Sequence, residues 1–278
     1  MSEPTLISER QAGKVAVVTG AASGIGAAIA RRFVAEGGAV AGGDINVDAL
    51  DSIRDELGDA FVAVRCDVTL EADVAALVAA AVDGFGKLDA GFNVAGASRP
   101  APLVDMTEQD WDFTVDLCLK GVFFSLKHEA RQLIAQGAGG AIVNIASLNS
   151  RVPMFFGAAY ASAKAGVAML GQSGALEFAE HGIRVNTVSP GLTATPLVTP
   201  MTTIPQVHAA FMDRIPLKRP ATPSDIAATS IYLATDDAAY VTGVNIFVDG
   251  GWEQTAYPDL RPMLATIMSD LPTNDMPE

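Results

Sequence analysis

Short apolar runs alternate with alanine-rich stretches along almost the whole sequence, and this alternation limits the fold more than any other feature. Most of the runs are continuously apolar, as is typical of strands covered on both faces in a parallel sheet. The predicted strands are Lys14–Thr19, Ala39–Gly43, Phe61–Arg65, Leu88–Phe92, Ala141–Ala146, Ile183–Val188 and Val244–Val248. The predicted helices include Gly24–Glu36, Glu71–Val82, Glu108–Ala135 and Ala158–Ala179. The pattern predicts a single doubly wound α/β domain over residues 1–278, with a parallel sheet flanked by helices.

Composition narrows the range of partners. The 278 residues carry a formal net charge of −14, which argues against nucleic acid or an anionic membrane as a partner, because both are polyanions. Half of the residues are hydrophobic, so the chain can bury a substantial core. The first ten residues lack a secretory signal, and the two cysteines show neither metal-site spacing nor a disulfide framework. We therefore expect a cytoplasmic protein that holds no metal.

Three segments stand apart from the alternating pattern. Residues 1–12 precede the first predicted strand as an N-terminal extension. Residues 196–215 belong to a proline-rich region that is predicted to form a loop with short helices over the substrate. Residues 253–278 form a proline-rich, acidic tail, for which packing on a neighbouring subunit and a loosely held chain both remain open.

A glycine-rich segment, Thr19 to Gly26, follows the first predicted strand and opens the first predicted helix. Glycine lets the backbone turn sharply and come close to a pyrophosphate, and a helix N-terminus presents free N–H groups and a positive dipole end. The spacing differs from the G-x-G-x-x-G fingerprint, so a tight strand–helix connection without a ligand remains the alternative. Its position in the first strand–helix unit favours a phosphate-binding turn.

Acidic residues end the second and third predicted strands. A carboxylate at Asp44 can accept hydrogen bonds from both adenosine ribose hydroxyls and would repel a 2′-phosphate. Asp67 can similarly reach the adenine amino group. A helix cap or a solvated loop acid is the alternative for Asp44, and an ordinary loop acid for Asp67. Together with the glycine-rich turn, Asp44 predicts NAD as the cofactor.

The strongest chemical signal is the pair Tyr160 and Lys164, with Ser147 thirteen residues before the tyrosine. Positions i and i+4 share a helix face, so the ammonium group can lie beside the phenol. A nearby cation favours the phenolate and makes tyrosine a usable proton donor or acceptor near neutral pH. Ser147 falls at the carboxyl end of the fifth predicted strand, where doubly wound sheets place ligands. A Tyr-x-x-x-Lys pair alone is common on helix surfaces, but with the serine and the glycine-rich turn it predicts a catalytic site.

In this order the motifs resemble those of the short-chain dehydrogenase/reductase family, over about Gly13 to Trp252. The matching segments are Thr19–Gly26, Cys66–Val68, Gly86–Asp89, Asn93–Gly96, Ser147, Tyr160 with Lys164, Ser189–Gly191 with Thr195, and Asp249–Gly251. The resemblance implies a Rossmann-like sheet of seven strands and hydride transfer between a nicotinamide and an alcohol or carbonyl. It implies Tyr160 as the acid/base, Ser147 as the donor that holds the substrate oxygen, and Lys164 as a ligand of the nicotinamide ribose.

The same resemblance implies the residues of the cofactor cleft. They are Gly20, Ser23, Gly24, Ile25, Gly26, Asp44, Asp67, Val68, Asn93, Ala95, Gly96, Pro190, Gly191 and Thr195, together with Tyr160 and Lys164. It also implies a homotetramer in which the long helices ending near Ala135 and Ala179 pack against a partner subunit. Small residues on the second of these helices would allow close packing there: Ala163, Gly166, Ala168, Gly171 and Gly174.

Two positions depart from the family's pattern. Val94 stands where a second asparagine is usual, and we expect little effect from it. Cys118 stands at the position of a fourth catalytic residue, an asparagine whose backbone carbonyl holds a water that connects the lysine to solvent. A backbone carbonyl does not depend on the side chain, so we expect the water relay to persist and Cys118 to be a small buried apolar residue.

The residues expected at the mouth of the site are mostly apolar, which predicts an apolar or ring-bearing alcohol or ketone as substrate. They are Leu148, Val152, Pro153, Met154, Phe155, Phe156, Met201, Phe211 and Met212. One alternative is a 3-oxoacyl-thioester reductase of the acyl-carrier-protein type, which Asp44 disfavours because that activity usually prefers NADPH. The other is a non-catalytic nucleotide-binding regulator on the same fold, which only Cys118 favours.

Overall fold

A computed structural model of the chain describes residues 9–196 and 198–256. The first eight residues of the predicted N-terminal extension and residues 257–278 of the predicted tail lie outside the described residues, as does the side chain of Met201.

The described residues form one parallel sheet in the order β3-β2-β1-β4-β5-β6-β7. Its strands are β1 (Val15–Thr19), β2 (Ala39–Asp44), β3 (Phe61–Arg65), β4 (Ala90–Asn93), β5 (Gly140–Ile145), β6 (Ile183–Pro190) and β7 (Asn245–Val248). The order reverses direction beside β1, which leaves a crevice at the carboxyl ends of β1 and β4. The predicted doubly wound α/β fold is therefore confirmed.

Helices cover both faces of this sheet. They are α1 (Gly24–Ala35), α2 (Val47–Leu57), α3 (Glu71–Phe85), α4 (Glu108–Val115), α5 (Gly121–Gln136), α6 (Ala158–Glu177), α7 (Thr199–Thr202), α8 (Pro205–Arg214) and α9 (Pro223–Ala234). One core layer contains residues of α1, α2 and α9, and the other contains residues of α3, α5 and α6. Alternate residues of β1 enter opposite layers, with Val18 in the first and Val17 in the second, as the two-residue period of a strand requires.

Helix α2 was not predicted. The side chain of Asn46 caps it by accepting a hydrogen bond from the N–H of Ala49, and Leu50 and Ile53 bury its inner face. This helix is amphipathic but short and mostly polar, so it stands out less in the sequence than the alanine-rich helices do. The predicted helix 108–135 is present, but a π-helical turn at Asp116–Lys120 interrupts it between α4 and α5.

Two of the small residues on the expected outer face of α6 pack inside the subunit. Gly171 and Gly174 are buried inside their own subunit, where a Cβ would lie 2.5 Å from the Thr187 hydroxyl and 3.2 Å from Leu126, respectively. Close packing between α6 and the chain's own β6 and α5 is the reason for these glycines. The outward face of α6 instead carries the exposed side chains of Met169 and Leu176.

No helix among residues 9–196 and 198–256 is both long enough and apolar enough to cross a membrane.

Candidate active site

The glycine-rich turn lies between the end of β1 and the start of α1. Gly20 has a φ of +68°, and a Cβ on it would lie 3.0 Å from the backbone of Ala95. A Cβ on Gly26 would lie 2.0 Å from the Gly20 carbonyl oxygen, so no other residue fits there without movement of the turn. Ser23 makes no side-chain cap at the start of α1, which leaves the N–H groups of the first turn to other acceptors. This arrangement suits a bound phosphate.

Asp44 connects the end of β2 to this turn. One carboxylate oxygen accepts a hydrogen bond from the N–H of Ala22 at 3.1 Å, and the other accepts one from Asn46 at 2.9 Å. Each carboxylate oxygen has a further lone pair, so these bonds leave acceptor capacity for ribose hydroxyls. The structure thus places Asp44 beside the turn, as the sequence predicts. The two hydrogen bonds from backbone N–H groups also fix the orientation of the carboxylate.

Asp67 is held by a local turn after β3. One of its oxygens accepts hydrogen bonds from the N–H of Thr69 at 3.0 Å and from its hydroxyl at 2.7 Å. The neighbouring Val68 is buried against Gly121 at the start of α5, where a Cβ would come within 2.8 Å of the valine side chain. These contacts fix the loop that the resemblance assigns to the adenine.

The segment after β4 lies against the glycine-rich turn. The Thr19 hydroxyl accepts hydrogen bonds from the N–H groups of Val94 at 3.0 Å and Ala95 at 3.3 Å. Asn93 does not direct its side chain into the cleft, because its amide donates to Glu129 and Asn144 inside the protein. Any contact of Asn93 with a cofactor would therefore be made by the backbone.

The segment at the end of β6 forms the other side of the cleft. The N–H of Gly191 donates to the carbonyl of Val248, and a Cβ on this glycine would lie 2.8 Å from Cα of Asp249. The side chain of Thr195 reaches back to the glycine-rich turn and lies 3.3 Å from where a Cβ of Gly24 would be. The structure thus brings the Pro190–Thr195 segment and the turn together across the sheet.

Ser147 lies after the end of β5 and is 8% exposed. Its hydroxyl accepts a hydrogen bond from the N–H of Asn149 at 3.1 Å and lies 3.3 Å from the side-chain oxygen of the same residue. A hydroxyl carries one rotatable proton, so it can turn from Asn149 toward a substrate oxygen. Residues 148–150 pack against α6, which brings this segment to the helix that carries Tyr160.

Lys164 is buried, with 2% of its surface exposed, and its ammonium group donates to the carbonyl of Ile145 at 2.7 Å. The same nitrogen lies 5.8 Å from the centre of the Tyr160 ring, on the helix face that the i, i+4 spacing predicts. A Cβ on Gly96 would lie 3.5 Å from it, so glycine keeps this side of the ammonium group open. Burying a lysine is costly, so the buried position of Lys164 makes it a candidate functional residue.

Cys118 lies in the π-helical turn beside this lysine. It is fully buried, and its thiol donates to the carbonyl of Ala97 at 3.1 Å. The burial expected from the sequence is confirmed, but the side chain also makes a hydrogen bond that joins the turn to the loop after β4. Single π turns inside α-helices are frequent at functional sites.

We expect Cys118→Ser to change kcat by less than about tenfold, because serine can donate the same hydrogen bond and the proposed water relay uses a main-chain carbonyl. Cys118→Asn, which restores the residue usual in the family, should also stay within this range. Steady-state kinetics, with thermal melting as the check of folding, measure both variants. A loss of turnover in well-folded Cys118→Ser would mean that the thiol itself takes part.

The segment after β7 makes aromatic and ionic contacts with α8 and with the loop after Ser147. Phe211 of α8 packs edge-on against Trp252, with ring centres 5.5 Å apart. Arg151 forms an ion pair with Glu253 and lies 4.6 Å from the centre of the Phe247 ring. Sequence reasoning missed this pair, because the two charged residues are far apart in the chain and share no motif.

The apolar residues predicted at the mouth range from buried to exposed, and Val152, Phe211 and Met212 are half-buried. Leu148 is buried in the core, whereas Met154, Phe155 and Phe156 are exposed. Phe155 is the most exposed of them, with 91% of its surface accessible. Phe156 has a φ of +62°, an uncommon conformation for a bulky residue, and its carbonyl accepts the N–H of Ala101. The loop between Ser147 and Tyr160 therefore presents exposed aromatic surface.

Among residues 9–196 and 198–256, no three His, Cys, Asp or Glu side chains are grouped as a metal site would require. Two of the three histidines lie beside acidic residues. His128 lies 3.0 Å from Glu71, and the His181 ring lies 3.7 Å from Glu180.

A parallel sheet with a glycine-rich turn after β1, and with a serine and a Tyr–Lys pair near the end of β5, defines a nucleotide-binding α/β enzyme. The family model described as enoyl-(acyl carrier protein) reductase matches residues 20–253. The chain belongs to the short-chain dehydrogenase/reductase family.

Named relatives share most of their length with the chain. The 2,5-dichloro-2,5-cyclohexadiene-1,4-diol dehydrogenase LinX of Sphingobium indicum is 38% identical over 88% of this chain and 98% of its own. The cis-4-hydroxycyclohexanecarboxylate dehydrogenase of Sinomonas cyclohexanicum is 42% identical over 88% of this chain and 99% of its own. The crystal structure of a putative short-chain alcohol dehydrogenase from Sinorhizobium meliloti 1021 superposes with a TM-score of 0.83 and 34% identity, covering 87% of this chain and 96% of that one.

Proposed function

We propose that the protein is an NAD(H)-dependent oxidoreductase that interconverts a secondary alcohol and a ketone, with an apolar or ring-bearing substrate. The observation that carries the proposal is the buried ammonium group of Lys164 beside the ring of Tyr160. An ammonium group beside a phenol can stabilise the negative charge that develops on the oxygen when tyrosine transfers a proton. The names of the relatives, which are dehydrogenases of hydroxyl-bearing compounds, support the same reaction class.

Each catalytic residue has a role in this reaction that its surroundings support. In the oxidation direction Tyr160 accepts the hydroxyl proton of the alcohol, while the hydroxyl of Ser147 donates to the substrate oxygen. Lys164, anchored on the carbonyl of Ile145, stabilises the phenolate and binds the nicotinamide ribose. The bound nicotinamide supplies the hydride acceptor or donor.

The cofactor residues present fit a dinucleotide. The close approach of Gly20 to Ala95 and the uncapped start of α1 suit a pyrophosphate. Asp44, oriented by its two backbone hydrogen bonds, suits free ribose hydroxyls and disfavours a 2′-phosphate. We therefore propose NAD(H) over NADP(H).

The substrate class rests on the mouth of the site. Phe155 and Phe156 expose aromatic surface near the catalytic residues, and Phe211 packs on Trp252 on the opposite loop. Such surface suits a ring or another apolar group. Two relatives named above act on six-membered ring alcohols, which supports this class.

A panel of alcohols tests the proposal directly. The purified protein is mixed with NAD⁺ and with cyclic, aromatic and linear secondary alcohols, and NADH formation is followed by absorbance. Turnover of ring alcohols well above that of polyols is the expected result. A 3-oxoacyl thioester with NADPH belongs in the same panel, and faster turnover of this pair would favour the acyl-thioester reductase. No turnover of any member, despite tight NADH binding, would favour a non-catalytic regulator.

We also propose that the protein is a homotetramer. The outer face of α5 and α6 exposes Phe123, Ile134, Met169 and Leu176, and a groove of about 330 Å³ runs between the two helices. Apolar patches of this kind are typical of interaction sites.

Light scattering should give about four times the 28.8 kDa mass of the chain. Leu176→Glu, which adds a charge to a side chain that is 82% exposed, should produce a smaller species without unfolding, because the subunit's own core does not include this residue. Leu103→Glu, at an exposed position outside α5 and α6, is the matched control and should leave the mass unchanged. A wild-type mass near that of one chain would overturn the proposal.

The free cysteines and the net charge bear on where the protein acts and what it binds. Both cysteines are free and buried, which suits the reducing cytoplasm. The net charge of −14 disfavours a nucleic acid or an anionic membrane as partner. The partner proposed for the site is therefore a small-molecule alcohol or ketone.

A further inference from the structure

Glu129 is a buried acid for which the proposed reaction has no role. It lies on α5 with none of its surface exposed, and its carboxyl group occupies the space above Gly91 of β4. A Cβ on that glycine would lie 2.3 Å from the carboxyl carbon, so the strand must carry glycine for the acid to fit. Glutamate is rarely buried to this extent without a specific partner.

The partner of Glu129 is the side chain of Asn93. The Asn93 amide donates to Glu129 Oε2 at 3.0 Å and to Asn144 Oδ1 at 2.9 Å. Asn93 and Asn144 are register partners in β4 and β5, so their side chains lie on the same face of the sheet. The acid therefore forms hydrogen-bonded contact with the last residue of β4, and through it with β5.

These residues belong to a polar row across four central strands. Thr19 of β1, Asn93 of β4, Asn144 of β5 and Thr187 of β6 are successive register partners, and all four are buried. Most of the residues around this row are apolar, so the row is a set of polar side chains within a hydrophobic core. Polar groups in such a place specify one arrangement when they are satisfied and destabilise it when they are not.

The row directly precedes the functional segments. Asn93 is followed by Val94 and Ala95, whose N–H groups are held by the Thr19 hydroxyl beside the glycine-rich turn. Asn144 is followed by Ile145, whose carbonyl holds the ammonium group of Lys164. A shift of either strand end would move the wall of the cofactor cleft or the anchor of the lysine.

The protonation state of Glu129 is compatible with its burial. Burial raises the pKa of Glu129 to about 8, and the hydrogen bond from Asn93 opposes the shift only in part. The side chain is thus largely neutral near pH 7. A neutral acid can remain buried without a cation, and an amide of the same shape can replace it.

We propose that Glu129 is a positioning residue for cofactor binding, which acts through its hydrogen bond to Asn93 to hold the ends of β4 and β5 against the cleft. The inference rests on the proposed function only in that the cleft binds NAD(H). It predicts that loss of the hydrogen bond weakens the binding of NADH more than it affects the binding of the alcohol. A purely structural role predicts a lower melting temperature with unchanged affinity.

The test measures NADH affinity by fluorescence titration, which needs no substrate. Glu129→Leu preserves most of the volume and leaves one N–H of the Asn93 amide without its acceptor. If that loss shifts the end of β4, the Kd of NADH should rise by about tenfold, a change comparable in size to one hydrogen bond. Glu129→Gln keeps the acceptor oxygen and the neutral charge and should stay within about twofold of wild type. Ser125→Ala, one turn earlier on α5, is the matched control, because its buried hydroxyl bonds only within its own helix, to Gly121. It should leave the Kd unchanged.

If Glu129→Leu does not fold, Glu129→Asp replaces it, since removal of one methylene draws the carboxyl away from Asn93. With either variant, KM for NAD⁺ should rise while KM for the alcohol stays near the wild-type value. A folded variant that binds NADH as tightly as wild type would overturn the inference, as would a Glu129→Gln protein as weak as Glu129→Leu. Failure of the wild-type protein to bind NADH would instead refute the proposed cofactor, which distinguishes the two cases.

Discussion

Tyr160→Phe should lower kcat/KM by at least about 10²-fold while the fold and NADH binding stay nearly intact, because general acid–base catalysis is typically worth this much. Phenylalanine keeps the ring beside the ammonium group of Lys164, which lies 5.8 Å from its centre, and removes only the hydroxyl. The measurement is steady-state oxidation of the best alcohol from the panel, together with NADH titration.

Tyr240→Phe is the matched control for this experiment. Tyr240 is fully exposed and lies in the loop before β7, so loss of its hydroxyl should leave the rate unchanged. Retention of more than half of the wild-type rate by Tyr160→Phe, with hydride transfer limiting, would show that another group moves the proton.

The wild-type protein should prefer NAD⁺ to NADP⁺ by about 10²-fold in kcat/KM, and Asp44→Ala should lose much of this preference. Two like unit charges about 4 Å apart repel by about 4 kcal/mol at an effective dielectric constant near 20, and solvent screening reduces this value for a half-buried carboxylate. The loss should arise mainly from weaker NAD⁺ binding, because the ribose hydroxyls lose their acceptor. The experiment compares both cofactors with one substrate.

Two variants separate the charge of Asp44 from its structural role. Asp44→Asn removes the charge but keeps an oxygen that can accept the N–H of Ala22, which Asp44 holds at 3.1 Å in the wild type. A similar loss of preference in the alanine and asparagine variants would assign the effect to charge. Asp48→Ala, at an exposed position in the first turn of α2, controls for the change in net charge. An NADP⁺ preference in the wild type, or an unchanged ratio in Asp44→Ala, would refute the assignment.

The strands were predicted nearly to the residue, because a sheet covered on both faces requires continuous apolar runs. The largest difference is in β4, which was expected at Leu88–Phe92 and lies at Ala90–Asn93. Asn93 extends the strand despite its polarity, since Glu129 and Asn144 accept hydrogen bonds from its amide nitrogen inside the core. Hydrophobicity alone does not show that a strand continues through a polar residue at its end.

Two glycines of the predicted contact face of α6 pack inside the subunit. A stripe of small residues permits close packing, but it does not specify which neighbour approaches. In the structure Gly171 and Gly174 accommodate the chain's own Thr187 and Leu126, so the approach comes from within the subunit.

The sequence by itself determined the family resemblance, the doubly wound α/β fold, and the candidate roles of Ser147, Tyr160, Lys164 and Asp44. These conclusions depend on local order: an i, i+4 spacing on one helix, a serine or a carboxylate that ends an apolar run, glycines between a strand and a helix. Only the tertiary structure decided that the Cys118 thiol bonds to Ala97, that Arg151 pairs with Glu253, and that Glu129 lies against Asn93. Each of these contacts joins residues at least 21 positions apart. A single glutamate or cysteine on a helix carries no sign of its distant partner, because burial and hydrogen bonding are set by how the elements pack.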